Sequence, residues 1–104
     1  MKVYIAGPMS GIPELNYLAF NTAEGQLFVA GFTPLNPARS EEHNTTGKPQ
    51  SWDWYMRHAL RMVAEADGIA LLPGWENSRG ATLENHVGSA LGLDIRPLNE
   101  WIKP

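Results

Sequence analysis

Short apolar runs alternate with longer helix-patterned stretches along this chain, and that alternation restricts its fold more than any other feature. Lys2-Val3-Tyr4-Ile5-Ala6 ends at Gly7-Pro8, and Gly68-Ile69-Ala70-Leu71-Leu72 ends at Pro73-Gly74. Such runs, apolar on both faces, suit central strands of a parallel sheet that helices cover on each side. Between them the spacing of Leu15, Leu18, Ala19, Ala23, Leu27 and Ala30 predicts a helix from about Glu14 to Ala30, stopped by Gly31. Phe32 to Pro37 reads as a second strand. Pro34 would remove one ladder donor there, so the strand belongs at an edge.

From Ala38 to Gln50 the chain is polar and contains Gly47-Lys48-Pro49, the pattern of a mobile loop. Ser51 looks like an N-cap. After it Trp52, Tyr55, Met56, Ala59, Met62, Val63 and Ala66 recur at helical spacing, with Trp52 assigned to the core. A further helix is predicted from Ser78 to Leu91, with Leu83, Val87, Ala90 and Leu91 on one face and Gly92 as its stop. Asp94 to Leu98 reads as a fourth strand and Asn99 to Pro104 as a tail. Strand-helix three times, then a strand, argues for an α/β fold: a parallel sheet of about four strands, right-handed crossovers, and helices on both faces. At 104 residues the chain is one domain, 1–104.

Composition removes several functions. There is no cysteine, hence no disulfide framework, thiolate metal site or thiol nucleophile; this fits a reducing cytoplasm. The apolar start before Gly7-Pro8 is too short for a signal peptide. No run approaches the ~18 apolar residues of a membrane span. Net charge is −3 with scattered Lys and Arg, which argues against a nucleic-acid groove or an anionic membrane surface. His43, His58 and His86 show no metal-ligand spacing, so no metal is expected. Four strands leave edges that need cover, as a homodimer or larger homo-oligomer would provide.

Loops after the carboxyl ends of the strands converge at one end of such a sheet, where ligands bind. The first loop brings Gly7, Met9, Ser10 and Gly11; its glycines let backbone N–H groups approach a ligand. It matches neither a dinucleotide fingerprint nor a phosphate-binding P-loop. The richest corner is Leu71 to Glu84. Asn77 and Ser78 lead into a helix whose first residues, Arg79, Gly80 and Ala81, offer N–H groups at a positive helix end. Glu84 shares a face with Gly80, and a small residue below the carboxylate leaves room for a sugar ring. The alternative for this corner is an ordinary N-cap followed by a solvated glutamate. Trp54 and Trp75 lie off the apolar stripes and suit stacking on a nucleobase. Asp67, before the third strand, lies at the amino end, where it would cap a turn.

These blocks resemble the nucleoside 2-deoxyribosyltransferase-like superfamily, and more closely its small DUF4406 members from phages and prophages. The matching pieces are Val3 to Gly11, Ala66 to Leu72, Ser78 to Glu84 and Ala90-Leu91-Gly92. The resemblance implies a small Rossmann-like three-layer sandwich that needs no cofactor. It implies that Glu84 attacks the anomeric carbon and displaces the base, and that water or a second base resolves the glycosyl-enzyme. Tyr4 matches the family tyrosine that orients this nucleophile, and Asp67 a family aspartate. Trp75, Asn77, Ser78, Arg79 and Gly80 fall on the substrate side. Members that act on free nucleosides carry an acid where this chain has Ser78. Those that hydrolyse nucleoside 5′-monophosphates carry Ser, which can donate a hydrogen bond to phosphate. The resemblance therefore implies a nucleotide N-glycosidase. A nucleotide-binding module without turnover and a plain interaction protein are the alternatives.

Overall fold

Strand β1 (Lys2–Ala6) pairs in parallel with β2 (Thr33–Leu35) on one side and with β3 (Gly68–Leu71) on the other. β3 pairs in parallel with β4 (Asp94–Pro97), so the order is β2-β1-β3-β4. The computed structural model describes residues 1–103. The fold is the expected α/β one, with β1 and β3 central, and Pro34 sits in an edge strand where its missing N–H costs no ladder bond.

Alternation along β1 assigns the two faces. Val3 and Ile5 pack with Phe20, Ala23 and Leu27 of α1 (Tyr17–Val29) and with Trp101 of α4 (Leu98–Ile102). Tyr4 and Ala6 point the other way, toward Ala59 and Val63 of α2 (Trp52–Glu65) and Ala81 of α3 (Arg79–Ala90). The period of two in the strand thus builds a three-layer core.

Four expectations need correction. The first helix begins at Tyr17, because Glu14, Leu15 and Asn16 are left-handed, with φ of 53, 55 and 60°. Its buried residues are Phe20, Ala23 and Leu27, while Leu18 is 80% exposed. The helix is apolar on most sides, so periodicity could not choose its inner face. In α3 the buried residues are Ala81, Glu84 and Gly88, and Leu83 and Leu91 are exposed. Small residues let this helix approach the sheet closely, and Gly88 lies directly over Ile69.

The stretch after β2 is not a structureless loop. Residues Pro37–His43 form a 3-10 helix capped by Asn36, whose Oδ1 accepts from the Ala38 N–H at 2.9 Å. The buried Asn36 amide also donates to Asn21 Oδ1, and Arg39 forks onto Glu24 of α1. Beyond it Asn44, Thr46, Lys48 and Gln50 are joined by their own hydrogen bonds. Lastly, the expected tail contains α4, where buried Trp101 donates its Nε1–H to the Ile69 carbonyl at 3.0 Å. Pro104, the end of that tail, lies outside the described residues.

Candidate active site

The chain leaves β1 toward β2 on one side and returns to β3 on the other, so the sheet changes winding direction between β1 and β3. A crevice at the carboxyl ends of strands is expected there. A cavity of about 240 Å³ occupies it. The loops after β1 and β2 line this cavity, whereas on the β3 side no residue of the loop Pro73 to Asn77 does and the lining begins at Ser78, the cap of α3.

Gly7, Met9 and Ser10 line it from the first loop, and Ser78, Gly80, Ala81 and Glu84 from the start of α3. A Cβ on Gly7 would stand 2.8 Å from the Leu72 Cβ, so only glycine lets the chain leave β1 past β3 this closely. Ser78 caps α3 by accepting the Ala81 N–H at 3.1 Å, which leaves its hydroxyl proton free to donate into the cavity. Gly80 would bring a Cβ only to ordinary contact with Met56 Sδ; its bare backbone keeps the space above Glu84 open.

Glu84 is the central group. It is 6% exposed and no cation pairs with it. Burial pushes its pKa up to about 8, and the Tyr4 hydroxyl pulls it partly back. Tyr4 is fully buried, and burial and the Glu84 charge raise its own pKa well above the ordinary phenol value. The two groups are close enough to act on each other, yet Tyr4 Oη satisfies no hydrogen bond of proper geometry. A buried hydroxyl left unpaired beside a buried carboxyl is costly, and such groups cluster where a ligand completes them.

Much of the remaining lining is aromatic. Tyr17 and Phe20 come from α1, Trp52 and Tyr55 from α2, with Leu15 and Met56 beside them. Ser40 and Gln50 bring polar groups from the stretch after β2. The sequence carried a signal for part of this wall. Trp52, Tyr55, Met56 and Ala59 form the stripe assigned to the core, and its amino-terminal half faces the cavity instead. Periodicity detects a buried face but not whether protein or a hollow lies against it.

Several expected residues lie elsewhere. Trp52 lines the cavity, whereas Trp54 packs edge-on against Tyr55 and Trp75 packs with the residues beneath α2 and α3. Gly11 and Asn77 lie in the adjoining turns and do not line the cavity. Arg79 lies over the Trp52 ring, 3.9 Å from guanidinium carbon to centroid, which sets a positive charge beside the cavity wall. Asp67 is at the other end of β3. Its Oδ2 accepts the Lys2 N–H at 2.8 Å, and its backbone bridges β1 and β4. That is a sheet-closing role, remote from Glu84. Among the described residues no group of three or more His, Cys, Asp or Glu is arranged to hold a metal ion. Among the described residues no helix is long and apolar enough to cross a membrane.

No curated protein matches the chain. Its fold is similar to that of a 2-deoxyribosyltransferase from the psychrotolerant bacterium Bacillus psychrosaccharolyticus, with a TM-score of 0.68 and 20% identity over 91% of this chain and 69% of that one. At that identity the likeness is one of fold. Residues 1–96 match a family described as "Domain of unknown function (DUF4406)", a span that holds all four strands but for Pro97 and every cavity-lining residue named above. A sheet wound in this order, a hollow at its reversal point and a family match over nearly the whole length agree: the chain belongs to the DUF4406 family.

Proposed function

We propose that the cavity binds a nucleoside 5′-monophosphate and that Glu84 cleaves its base–sugar bond. The observation that carries this is the buried Glu84 carboxyl beside the unpaired Tyr4 hydroxyl, at the floor of a hollow that opens on the amino end of α3. The phosphate would take the Ser78 hydroxyl and the helix-end N–H groups of Arg79 and Gly80, with Ser10 and the Gly7 turn adding donors. The pentose would sit over Gly80 and Glu84, and the aromatic wall would take the base. The likeness in fold to a 2-deoxyribosyltransferase supports the reaction class.

In this reading an ionised Glu84 oxygen attacks C1′. The C1′–O bond forms as the C1′–N bond breaks, and the bond pair leaves with the base, which takes a proton. Water then attacks C1′, returns the carboxylate and gives the sugar phosphate; a second base in place of water would give exchange. Tyr4 is the positioning residue, its hydroxyl steadying the Glu84 oxygen that does not attack.

Nucleoside monophosphates incubated with the protein, with free base measured by chromatography, test this directly. Release from at least one nucleotide, lost in Glu84→Gln, is expected. Equal release by both proteins overturns the nucleophile. A second reading has one observation in its favour: a carboxyl with a pKa of about 8 is largely protonated at neutral pH and can hold a ligand by donating. A binding module would show saturable nucleotide binding with the nucleotide recovered intact. We also infer a homodimer or larger homo-oligomer. Support comes from the sheet edges β2 and β4 and from Leu18, Phe28 and Val29, all more than two-thirds exposed. Light scattering that finds only monomer at high concentration overturns it.

A further inference from the structure

The cavity lining carries two polar groups whose donors are already committed. Gln50 lines the cavity, and its Nε2 donates to Thr46 Oγ1 at 2.8 Å, with Asn44 Oδ1 at 3.4 Å and the Lys48 carbonyl at 3.5 Å. A backbone carbonyl can only accept, so this network settles which end of the amide is nitrogen. Asn44, Thr46 and Lys48 all lie outside the cavity lining. The amide nitrogen is therefore committed to the loop, and the amide carbonyl Oε1 is the end free to accept from a ligand. Tyr55 also lines the cavity and donates its only proton to Glu41 Oε2 at 2.6 Å. Hydrogen bonds from Tyr55 and Asn44 hold the Glu41 carboxyl below its usual range, so Glu41 is an ionised acceptor and cannot return the donation. The Gln50 backbone N–H also acts on Tyr55 Oη as a donor, so all that Tyr55 Oη has left for the cavity is its remaining lone pair. The hydroxyls of Ser40 and Tyr17 can rotate to donate or accept and do not discriminate.

We propose that the cavity selects nucleobases with an exocyclic amino group, read by Gln50 Oε1 and Tyr55 Oη as acceptors. An oxo group in the same place would set oxygen against oxygen and leave the two half-buried acceptors without a donor from the base. The proposal rests on the nucleotide-site reading above and goes beyond it by naming the class of base. It also gives the tied stretch Asn44 to Gln50 a purpose, since that stretch orients the Gln50 amide.

Calorimetry on the wild-type chain with two matched pairs tests it: AMP against IMP and CMP against UMP, in each of which amino becomes oxo and the neighbouring ring nitrogen turns from acceptor to N–H donor. Binding at least tenfold tighter to the amino member is expected in at least one pair. Equal affinity within both pairs, or preference for the oxo member, overturns the proposal and leaves the nucleotide site standing. Binding by none of the four overturns the nucleotide site itself and this proposal with it. Gln50→Leu, with its melting curve checked for folding, should shrink the ratio at least fivefold. An unchanged ratio in a folded variant removes Gln50 from the reading.

Discussion

The two ends of the central strands treat their polar groups in opposite ways. At the amino end Asp67 accepts from Lys2, its backbone ties β1 to β4, and nearby Trp101 finds the Ile69 carbonyl. At the carboxyl end, among the described residues, Tyr4 Oη makes no hydrogen bond of proper geometry and no cation pairs with Glu84. Polar groups satisfied in one place hold the sheet together there, and buried ones left unmet in another mark where the proposed ligand would bind. The contrast also explains why the aspartate expected in the site stays out of it. Asp67 stabilises the sheet where the strands begin.

The contrast can be broken by substitution. The largest effect is expected at Glu84. If it is the nucleophile, Glu84→Gln should slow base release by about 10³-fold or more, roughly 4 kcal/mol of barrier, in single-turnover assays. At the amino end Trp101→Ala should cost about 3–5 kcal/mol by urea unfolding, because it empties the space over Gly68 and removes a donor to the Ile69 carbonyl. The base-release rate of the surviving folded fraction should hardly change.

Stability against pH sharpens the comparison. The Glu84 pKa is about 8 in the folded chain against 4.5 as its ordinary value. Between these values the folded state holds one proton more than the unfolded state, so stability falls as pH rises through this window. The slope from this group is at most about 1.4 kcal/mol per pH unit. Glu84→Gln should remove it: the variant melts higher than wild type at pH 8, and the two converge near pH 4. A wild-type melting temperature no lower than the variant's at pH 8 contradicts the burial argument. In the proposed reaction the same proton would set the direction of the rate profile, with kcat/KM expected to rise toward pH 8 on its acid limb.

Smaller effects follow at Tyr4 and Asp67. Tyr4→Phe should raise stability by about 1 kcal/mol, since it removes an unpaired buried hydroxyl. It should also slow base release about tenfold. Asp67→Asn should cost about 1 kcal/mol or less and leave base release within twofold, which separates it from the site at the other end of β3.

The sequence by itself determined the layers. Strand runs apolar on both faces at Val3–Ala6 and Gly68–Leu72 require cover on two sides, Pro34 belongs at an edge, and Gly31 and Gly92 end helices. These are local consequences of periodicity and backbone geometry, and they appear in the fold with boundaries a residue or two apart. The corner at Ser78 to Glu84 was legible for the same reason, because a cap, a glycine and a carboxylate one turn on are consecutive in the chain. Only the tertiary structure decided what faces them. Trp52 and Tyr55 sit on a stripe that reads as core, and Gln50 in a stretch that reads as mobile, yet all three line one hollow. The fate of Asp67 was equally invisible, since its partners lie on other strands. Sequence spacing records which side of an element is buried. Whether that side meets packed atoms or an open cavity depends on residues far along the chain, brought together only when the sheet closes.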